Sequence, residues 1–243
     1  DGGRHAFTPD VSLFRGTVAG DPTSWVVLSM SSTGVLGTIE QHGTRLMLSP
    51  AQKVAGSSAT PGVHALAPEN AEAISQAAAR FECGINAGNE QAYGLRRLDA
   101  NGLEQGMTTA PDATQLNGTR MQFDAAADCD YEIYSGKFSS NLTAATAYIM
   151  TVLGTVNLVY ERDVEATLRY TFVNLWTTAA DPYNEPTTSG ELSEFRSYWI
   201  ANNGGISALI KHMISGRSLG GGIAFLDAVC SNGYGVSAID AIY

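Results

Sequence analysis

Residues 221–237 read Gly221-Gly-Ile-Ala-Phe-Leu-Asp-Ala-Val-Cys-Ser-Asn-Gly-Tyr-Gly-Val-Ser237. Within and around this stretch, a glycine-rich segment (216–222) leads into an apolar run (223–229), and a second strand-like segment covers 235–243. The glycine-rich segment lacks the Gly-Lys-Ser/Thr ending of a phosphate loop, and it precedes a strand instead of opening a helix. We therefore predict a turn whose glycines adopt positive φ, followed by a strand.

Upstream, strand and helix patterns alternate from Met121 onward. Strand-like residues end at 130–134, and either Ser139 or Ser140 is expected to cap a long helix with apolar residues at i, i+3, i+4 and i+7. A β-branched and aromatic strand, a second helix and a third helical face follow, at 165–176, 192–202 and 206–214. This alternation predicts an α/β domain over 121–243 with a mixed sheet and long helices. We expect that domain to be incomplete, because its last strand-like segment runs to Tyr243 without a closing element.

The first part of the chain has a different pattern. Short apolar runs at 12–19, 24–30, 34–40 and 44–49 are separated by turn residues, which predicts a β-rich antiparallel meander over 1–52. Residues 53–120 are rich in small and polar residues, and we predict a linker or pro-region containing one helix from Pro68 or Glu69 to Arg80. The fold class is thus α+β or α/β, with a β-rich N-terminal region ahead of the α/β domain.

Composition excludes several classes of partner. The 243 residues carry a net charge of −10 and no basic run, so neither nucleic acid nor an anionic membrane surface is an expected partner. The longest apolar stretch, 148–159, contains polar residues and is shorter than the ~20 apolar residues of a membrane span. We therefore predict no membrane span. The low lysine content favours a secreted, extracellular protein.

The residues alone do not assemble an active site. The four histidines, at positions 5, 42, 64 and 212, include no His-Glu-x-x-His spacing, so no metal site is predicted within the chain. His212 is interpreted as a structural residue on the third helical face. The acidic residues are spread along the chain and the group at 161–165 is interpreted as a solvated face, while no Gly-x-Ser-x-Gly turn indicates a serine hydrolase.

The stretch quoted first resembles reprolysin-type zinc metallopeptidases of the metzincin clan, in which a Gly-[Ile/Leu]-Ala-[Tyr/Phe] strand leads to a Cys and then to a Tyr-Gly-Val-Ser-like segment. Four further segments resemble parts of that catalytic domain in the same order: its opening strand, first long helix, second strand and the segment before the edge strand, at 130–134, 141–163, 168–176 and 212–217. The first fifty residues resemble the β-rich propeptide of bacterial members.

The resemblance implies a zinc-dependent metalloendopeptidase acting on protein or peptide substrates. Such enzymes carry His-Glu-x-x-His-x-x-Gly-x-x-His, which supplies three zinc ligands and a general base. This motif is absent from the 243 residues, so we expect a precursor fragment that is inactive by itself, with zinc bound only by the full-length enzyme. The resemblance also assigns the substrate-binding edge strand to Gly221, Gly222, Ile223, Ala224 and Phe225, whose backbone would pair with an extended substrate.

The resemblance extends to the cysteines, of which the chain has three. Cys83, followed by Gly84, resembles a cysteine switch, in which a propeptide thiolate occupies the fourth coordination position of zinc. Cys230 resembles a family cysteine whose disulfide partner lies beyond Tyr243. A bond between Cys129 and Cys230 is the competing assignment.

Two other functions remain open from the sequence. The chain could be a non-catalytic secreted binding module that uses its N-terminal strands on a degenerate metzincin scaffold. It could also be a self-standing structural or adhesion protein. The sequence gives no indication of the oligomeric state.

Overall fold

The structure, a computed structural model, describes residues 10–51, 62–69, 121–225 and 233–239, together with the backbone of 4–6. These residues form two sheets and two long helices. The strands are β1 Arg4–Ala6, β2 Ser12–Val18, β3 Asp21–Ser31, β4 Gly34–Gln41, β5 Thr44–Pro50, β6 His64–Pro68, β7 Met121–Cys129, β8 Ala166–Trp176, β9 Ile210–Ser215, β10 Gly222–Ala224 and β11 Gly233–Ala238, and the helices are α1 Leu142–Asp163 and α2 Thr188–Asn202. A mixed sheet, long helices and a β-rich N-terminal part confirm the predicted fold class.

The N-terminal sheet is an antiparallel meander of β2 to β6 in sequence order. Its β4–β5 hairpin turns at His42 and Gly43, both with positive φ, as a two-residue hairpin loop between right-twisted strands requires. Strand β6 lies within the predicted linker region. It is tied to the sheet by His64, whose Nε2 accepts a hydrogen bond from the Val35 N–H at 2.8 Å.

The second sheet has the strand order β1-β8-β7-β9-β11-β10. Its four inner strands, β8, β7, β9 and β11, are parallel to one another, whereas β1 and β10 pair antiparallel at opposite edges. Parallel strands need long crossovers, which α1 provides between β7 and β8 and α2 between β8 and β9. Because parallel strands are buried on both faces, each helix covers a different face.

Two hydrophobic clusters mark these faces. On one face, Leu192, Phe195 and Trp199 of α2 pack with Met213 and Val236 of the sheet. On the other face α1 forms a cluster with β7, β8 and β9 that includes residues Ala145, Ile149, Leu153, Cys129, Leu175 and Ile214.

The third predicted helix, over 206–214, is wrong, because residues 210–215 form strand β9 and His212 therefore lies on a strand. Met213 and Ile214 are adjacent in sequence and buried in opposite clusters, which a strand allows and one helix face does not. A strand buried on both faces is a continuous apolar run, and such a short run also fits helical spacing.

The predicted strand ending at 130–134 is also displaced. Strand β7 ends at Cys129, and residues 133–137 form a π-helical turn. The segment that resembles the opening strand of a metzincin domain therefore follows a strand instead of forming one. The cap of α1 is Asn141, whose side chain accepts a hydrogen bond from the Ala144 N–H at 3.0 Å, rather than Ser139 or Ser140.

Helix α1 is long and apolar enough to cross a membrane by the criteria of length and composition alone. It packs against both sheets, since Leu153 belongs to the β7–β8 cluster and Thr151 donates a hydrogen bond to Ser29 of β3 at 2.6 Å. A helix between two sheets needs apolar or small residues on two sides, which accounts for its composition.

Truncation of the buried face of α2 tests this packing. Leu192→Ala removes a fully buried side chain, and we expect the free energy of unfolding to fall by about 2–5 kcal/mol. Ile200→Ala, on the same helix, truncates a side chain that is 54% exposed. It should change the free energy of unfolding by less than about 0.5 kcal/mol. Urea unfolding followed by circular dichroism measures both, and equal effects would contradict the assigned face.

Candidate functional site

The predicted edge residues do lie at an edge of the second sheet. Strand β10 pairs with β11 on one side only, and no other strand of the described residues lies beyond it. The Gly221 carbonyl accepts from the Ala238 N–H at 2.8 Å, and the Phe225 N–H donates to the Tyr234 carbonyl at 3.1 Å. Backbone groups alternate in an antiparallel pair, so the N–H and C=O of Gly222 and Ala224 point away from β11.

The side chains of β10 alternate in the same way. Ile223 is buried in the α2 cluster, whereas Ala224 is exposed on the opposite face. On that face a Cβ atom built on Gly235 would lie 3.3 Å from the Ala224 Cβ and 3.0 Å from the His212 Nδ1. The surface beside the edge is therefore shallow and lined by small residues.

The glycine-rich turn before β10 has the backbone that the sequence predicts. Gly220 and Gly221 have φ values of 78° and 141°, which residues with a Cβ rarely adopt. A Cβ on Gly222 would lie 2.8 Å from the Val236 carbonyl oxygen, so the close approach of β10 to β11 also requires glycine there. The turn connects two strands, not a helix to a strand.

Asp130 fixes the start of this turn. Its carboxylate, fully buried at the end of β7, accepts hydrogen bonds from the Ser215 hydroxyl, from the Gly216 N–H at 2.8 Å and from the Ile133 N–H at 3.1 Å. Burial is the largest influence on this carboxyl and raises its pKa to about 6. Asp130 thereby ties the central strand to the segment that leads into the edge strand.

Arg217 holds the middle of the same turn. It forms an ion pair with the buried Glu191 of α2, donates to the Glu185 carbonyl at 2.9 Å and lies 3.7 Å from Asp130. Burial raises the pKa of Glu191 to about 7, although the Arg217 guanidinium opposes this rise. Arg217 thus connects the turn to both α2 and the loop before it.

A second buried carboxylate lies beside this region. Asp128 accepts hydrogen bonds from the Asn174 amide at 2.7 Å, the Trp176 indole at 3.1 Å and the Tyr183 hydroxyl at 2.6 Å. Three donors from β8 and the following loop satisfy this charge within the core. The network fixes the carboxyl ends of β7 and β8 relative to each other.

The histidines do not converge. His212 of β9 is within 2.8 Å of the Ser237 hydroxyl, and burial lowers its pKa to about 4, so the imidazole is neutral at pH 7. His42 and His64 lie on the N-terminal sheet, and His5 lies on β1. Among the described residues no group of three His, Cys, Asp or Glu side chains could hold a metal ion. These residues do not fit a zinc site, and no catalytic residue is assigned to them.

Of the three cysteines, the structure describes Cys129. Cys129 is a free, fully buried thiol whose pKa is raised by burial, so the alternative Cys129–Cys230 disulfide is absent. Cys83 and Cys230 both lie outside the described residues, as does the predicted helix from 69 to 80 beyond its first residue. The proposed switch and the second disulfide assignment stay predictions.

The acidic group at the end of α1 is less solvated than predicted. The Glu161 side chain is 11% exposed and pairs with Arg15 of β2 at 2.7 Å. Arg162 pairs with Asp163 at 2.6 Å on the surface. The group therefore takes part in the contact between the N-terminal sheet and α1, where Arg162 also pairs with Glu40.

Comparison with known proteins shows that part of the chain is similar to a known family. Residues 146–242, from within α1 through β11, match the model of the reprolysin-like metallopeptidases of family M12B. This part of the chain is reprolysin-like. The resemblance inferred from the sequence is thereby confirmed, and the reprolysin-like segment contains the Gly220–Phe225 turn and edge strand, together with Arg217 and Glu191.

Solved structures and curated proteins were also compared with this chain. The crystal structure of metalloproteinase-II from Bacteroides fragilis is similar to this chain with a TM-score of 0.38 and 11% sequence identity, covering 94% of this chain and 70% of that one. No curated protein matches the sequence.

Sequence reasoning found the edge strand but missed the side chains that hold it. Asp130 and Glu191 are separated from their partners by 85 and 26 residues, so no local spacing connects them. The available signal was the polar Ser215-Gly-Arg217 directly after an apolar run, which indicates a turn that needs buried partners.

The buried Asp130 should make stability depend on pH. The carboxyl ionises near 3.8 in the unfolded chain and near 6 in the folded protein, so between these values the folded protein binds more protons. The free energy of unfolding therefore falls as pH rises from about 4 to 6, by roughly 3 kcal/mol.

Asp130→Asn should remove the fall in the free energy of unfolding that Asp130 causes. The amide oxygen can still accept hydrogen bonds from the Ile133 and Gly216 N–H groups, but no charge is buried. Glu191 would still cause a fall up to about pH 7, since its pKa is also raised. Urea unfolding at several pH values between about 4 and 8 measures how the free energy of unfolding depends on pH. Asp163→Asn, on the exposed pair, serves as control, and an unchanged pH profile in Asp130→Asn would contradict the assignment.

Proposed function

We propose that this chain is part of a secreted zinc-dependent metalloendopeptidase precursor and that it supplies the strand along which an extended peptide substrate binds. The observation that carries the proposal is the match of residues 146–242 to reprolysin-like metallopeptidases, whose matched segment includes an antiparallel strand at a sheet edge. Because reprolysin-like enzymes are peptidases, the proposed substrate is a protein or peptide. The proposal takes the N-terminal β-rich region as a propeptide, that is, as the part of the precursor from which the catalytic part is later cut.

The edge strand supports binding through backbone groups. Gly222 and Ala224 direct their N–H and C=O away from β11, so an added strand can hydrogen-bond to both residues. Such pairing is independent of the side chains of the substrate, and the small residues beside the edge leave room for them. Asp130 and Arg217 act as positioning residues, since they fix the turn from which this strand starts.

Hydrolysis is not assigned to the residues of this chain. The described residues do not fit a zinc site, and the His-Glu motif does not occur in the 243 residues. The proposal therefore places the zinc ligands and the general base outside the given sequence. The 243 residues alone are expected to be inactive.

Sequencing the gene through the codons that follow Tyr243 is the first test. The proposal expects the extended His-Glu motif within the continuing reading frame. A stop codon, or a continuation without these histidines, would refute the peptidase proposal. It would favour the non-catalytic binding module, whose partner would then have to be found.

The second test concerns the edge strand in the longer gene product. Ala224→Pro removes an outward N–H but no hydrogen bond to β11, because proline is compatible with the free side of an edge strand. We expect kcat/KM on unfolded casein to fall about tenfold or more, through lost hydrogen bonding and blocked strand addition. Ala224→Ser keeps the N–H and should retain activity, and equal activity of both variants would contradict substrate pairing at β10.

A further inference from the structure

Among the described residues, the N-terminal part of the chain contacts the reprolysin-like part at two places. One is the edge of the second sheet opposite to β10, and the other is the side of α1 that faces away from that sheet. These contacts determine what happens when the chain is cut between the two parts. They are independent of whether the protein hydrolyses peptides.

The first contact is strand pairing. Strand β1 lies antiparallel to β8, with Arg4 opposite Trp176 and Ala6 opposite Asn174. It occupies one edge of the six-stranded sheet, while β10 occupies the other. The N-terminal part thus completes the sheet at the edge that the substrate strand does not use.

The second contact is a row of small residues on α1. Ala147, Thr151 and Gly154 follow helical spacing and let β2 and β3 approach closely. A Cβ on Gly154 would lie 3.0 Å from a Leu13 methyl and 3.1 Å from a Val27 methyl. The surfaces therefore fit at atomic distance around this glycine.

The centre of this contact is buried, and the Thr151 and Ser29 hydroxyls within it are hydrogen-bonded to each other. The Thr151 hydroxyl donates to the Ser29 hydroxyl at 2.6 Å and lies in the interior, where an unpaired group would be costly. Val11 and Leu36 of the N-terminal part form one hydrophobic cluster with Ala147. Apolar burial around a satisfied hydrogen bond is typical of a stable interface.

Ion pairs lie at the margin of the contact. Arg15 pairs with Glu161 at 2.7 Å, and Glu40 pairs with Arg162 at 3.5 Å. Exposed pairs of this kind contribute little to affinity, but they fix the position of the sheet along the helix.

We propose that the N-terminal part, residues 4–69, is a permanent non-covalent subunit of the reprolysin-like part, retained on α1 and β8 after the chain is cut between residues 70 and 120. It is a structural partner at the far side of the sheet and not a removable cover of the β10 edge. Any cover of that edge in a precursor would have to come from other residues.

The test uses the full chain with a recognition sequence for a site-specific protease inserted between Asn101 and Gly102. After complete cleavage, both fragments should elute together in size-exclusion chromatography at the volume of the uncut chain, and should separate only in denaturant. Separate elution of the two fragments in native buffer would overturn the proposal.

Two substitutions test the assigned interface. Gly154→Val places a side chain against Leu13 and Val27, and should increase the released fraction of the N-terminal fragment about tenfold. Gly136→Val is the control, because a Cβ there has nothing within 4 Å. Retention in both variants would overturn α1 as the contact.

Circular dichroism of the uncut variants shows whether each one folds. Should Gly154→Val not fold, Thr151→Val replaces it, since at almost constant volume this change removes the hydrogen bond to Ser29 across the contact, together with the bond to the Ala147 carbonyl within the helix. A larger released fraction than in the unsubstituted cut chain supports the interface, and an unchanged fraction contradicts it.

Discussion

Strand β7 is the constraint on which the arrangement of the other elements depends. Residues Ala125, Ala126 and Ala127 are at most 1% exposed, and parallel strands pair with β7 on both sides. Small side chains on both faces let α1 and α2 approach the sheet closely. Asp128 near the end of the strand and Asp130 directly after it have buried carboxylates, which tie β7 to β8 and to the turn after β9. The position of the β10 edge follows from these contacts.

The elements that could be predicted from the sequence are those whose pattern is local. The meander of β2 to β5, helix α1 and strand β8 have clear periodicity and turn residues, and each is present within a few residues of its expected limits. The edge strand was found in another way, since three residues carry little periodicity. Its resemblance to a family segment indicated an edge strand at 221–225, and the structure has an edge strand at Gly222–Ala224, while its role in substrate binding stays a prediction.

The predictions that were wrong or missing also have physical reasons. Strand β9 was taken for a helix because Met213 and Ile214 are buried on two faces, which removes the alternation that identifies a strand. The end of β7 was placed too late because Tyr131 and Ile133 continue the apolar pattern into a turn. The anchoring by Asp130, Glu191 and Arg217 could not be predicted, because tertiary contacts between distant charged residues leave no spacing in the sequence.

The two-sided burial of α1 has a consequence for biosynthesis. During translation β2 to β6 leave the ribosome before α1, so one of the two surfaces that cover this apolar helix already exists when the helix emerges. The pairing of β1 with β8 spans more than 160 residues, from Arg4 to Trp176, and can form only after β8 has been made. Strand β1 can therefore join its sheet only after the N-terminal sheet, α1 and β8 have all been made.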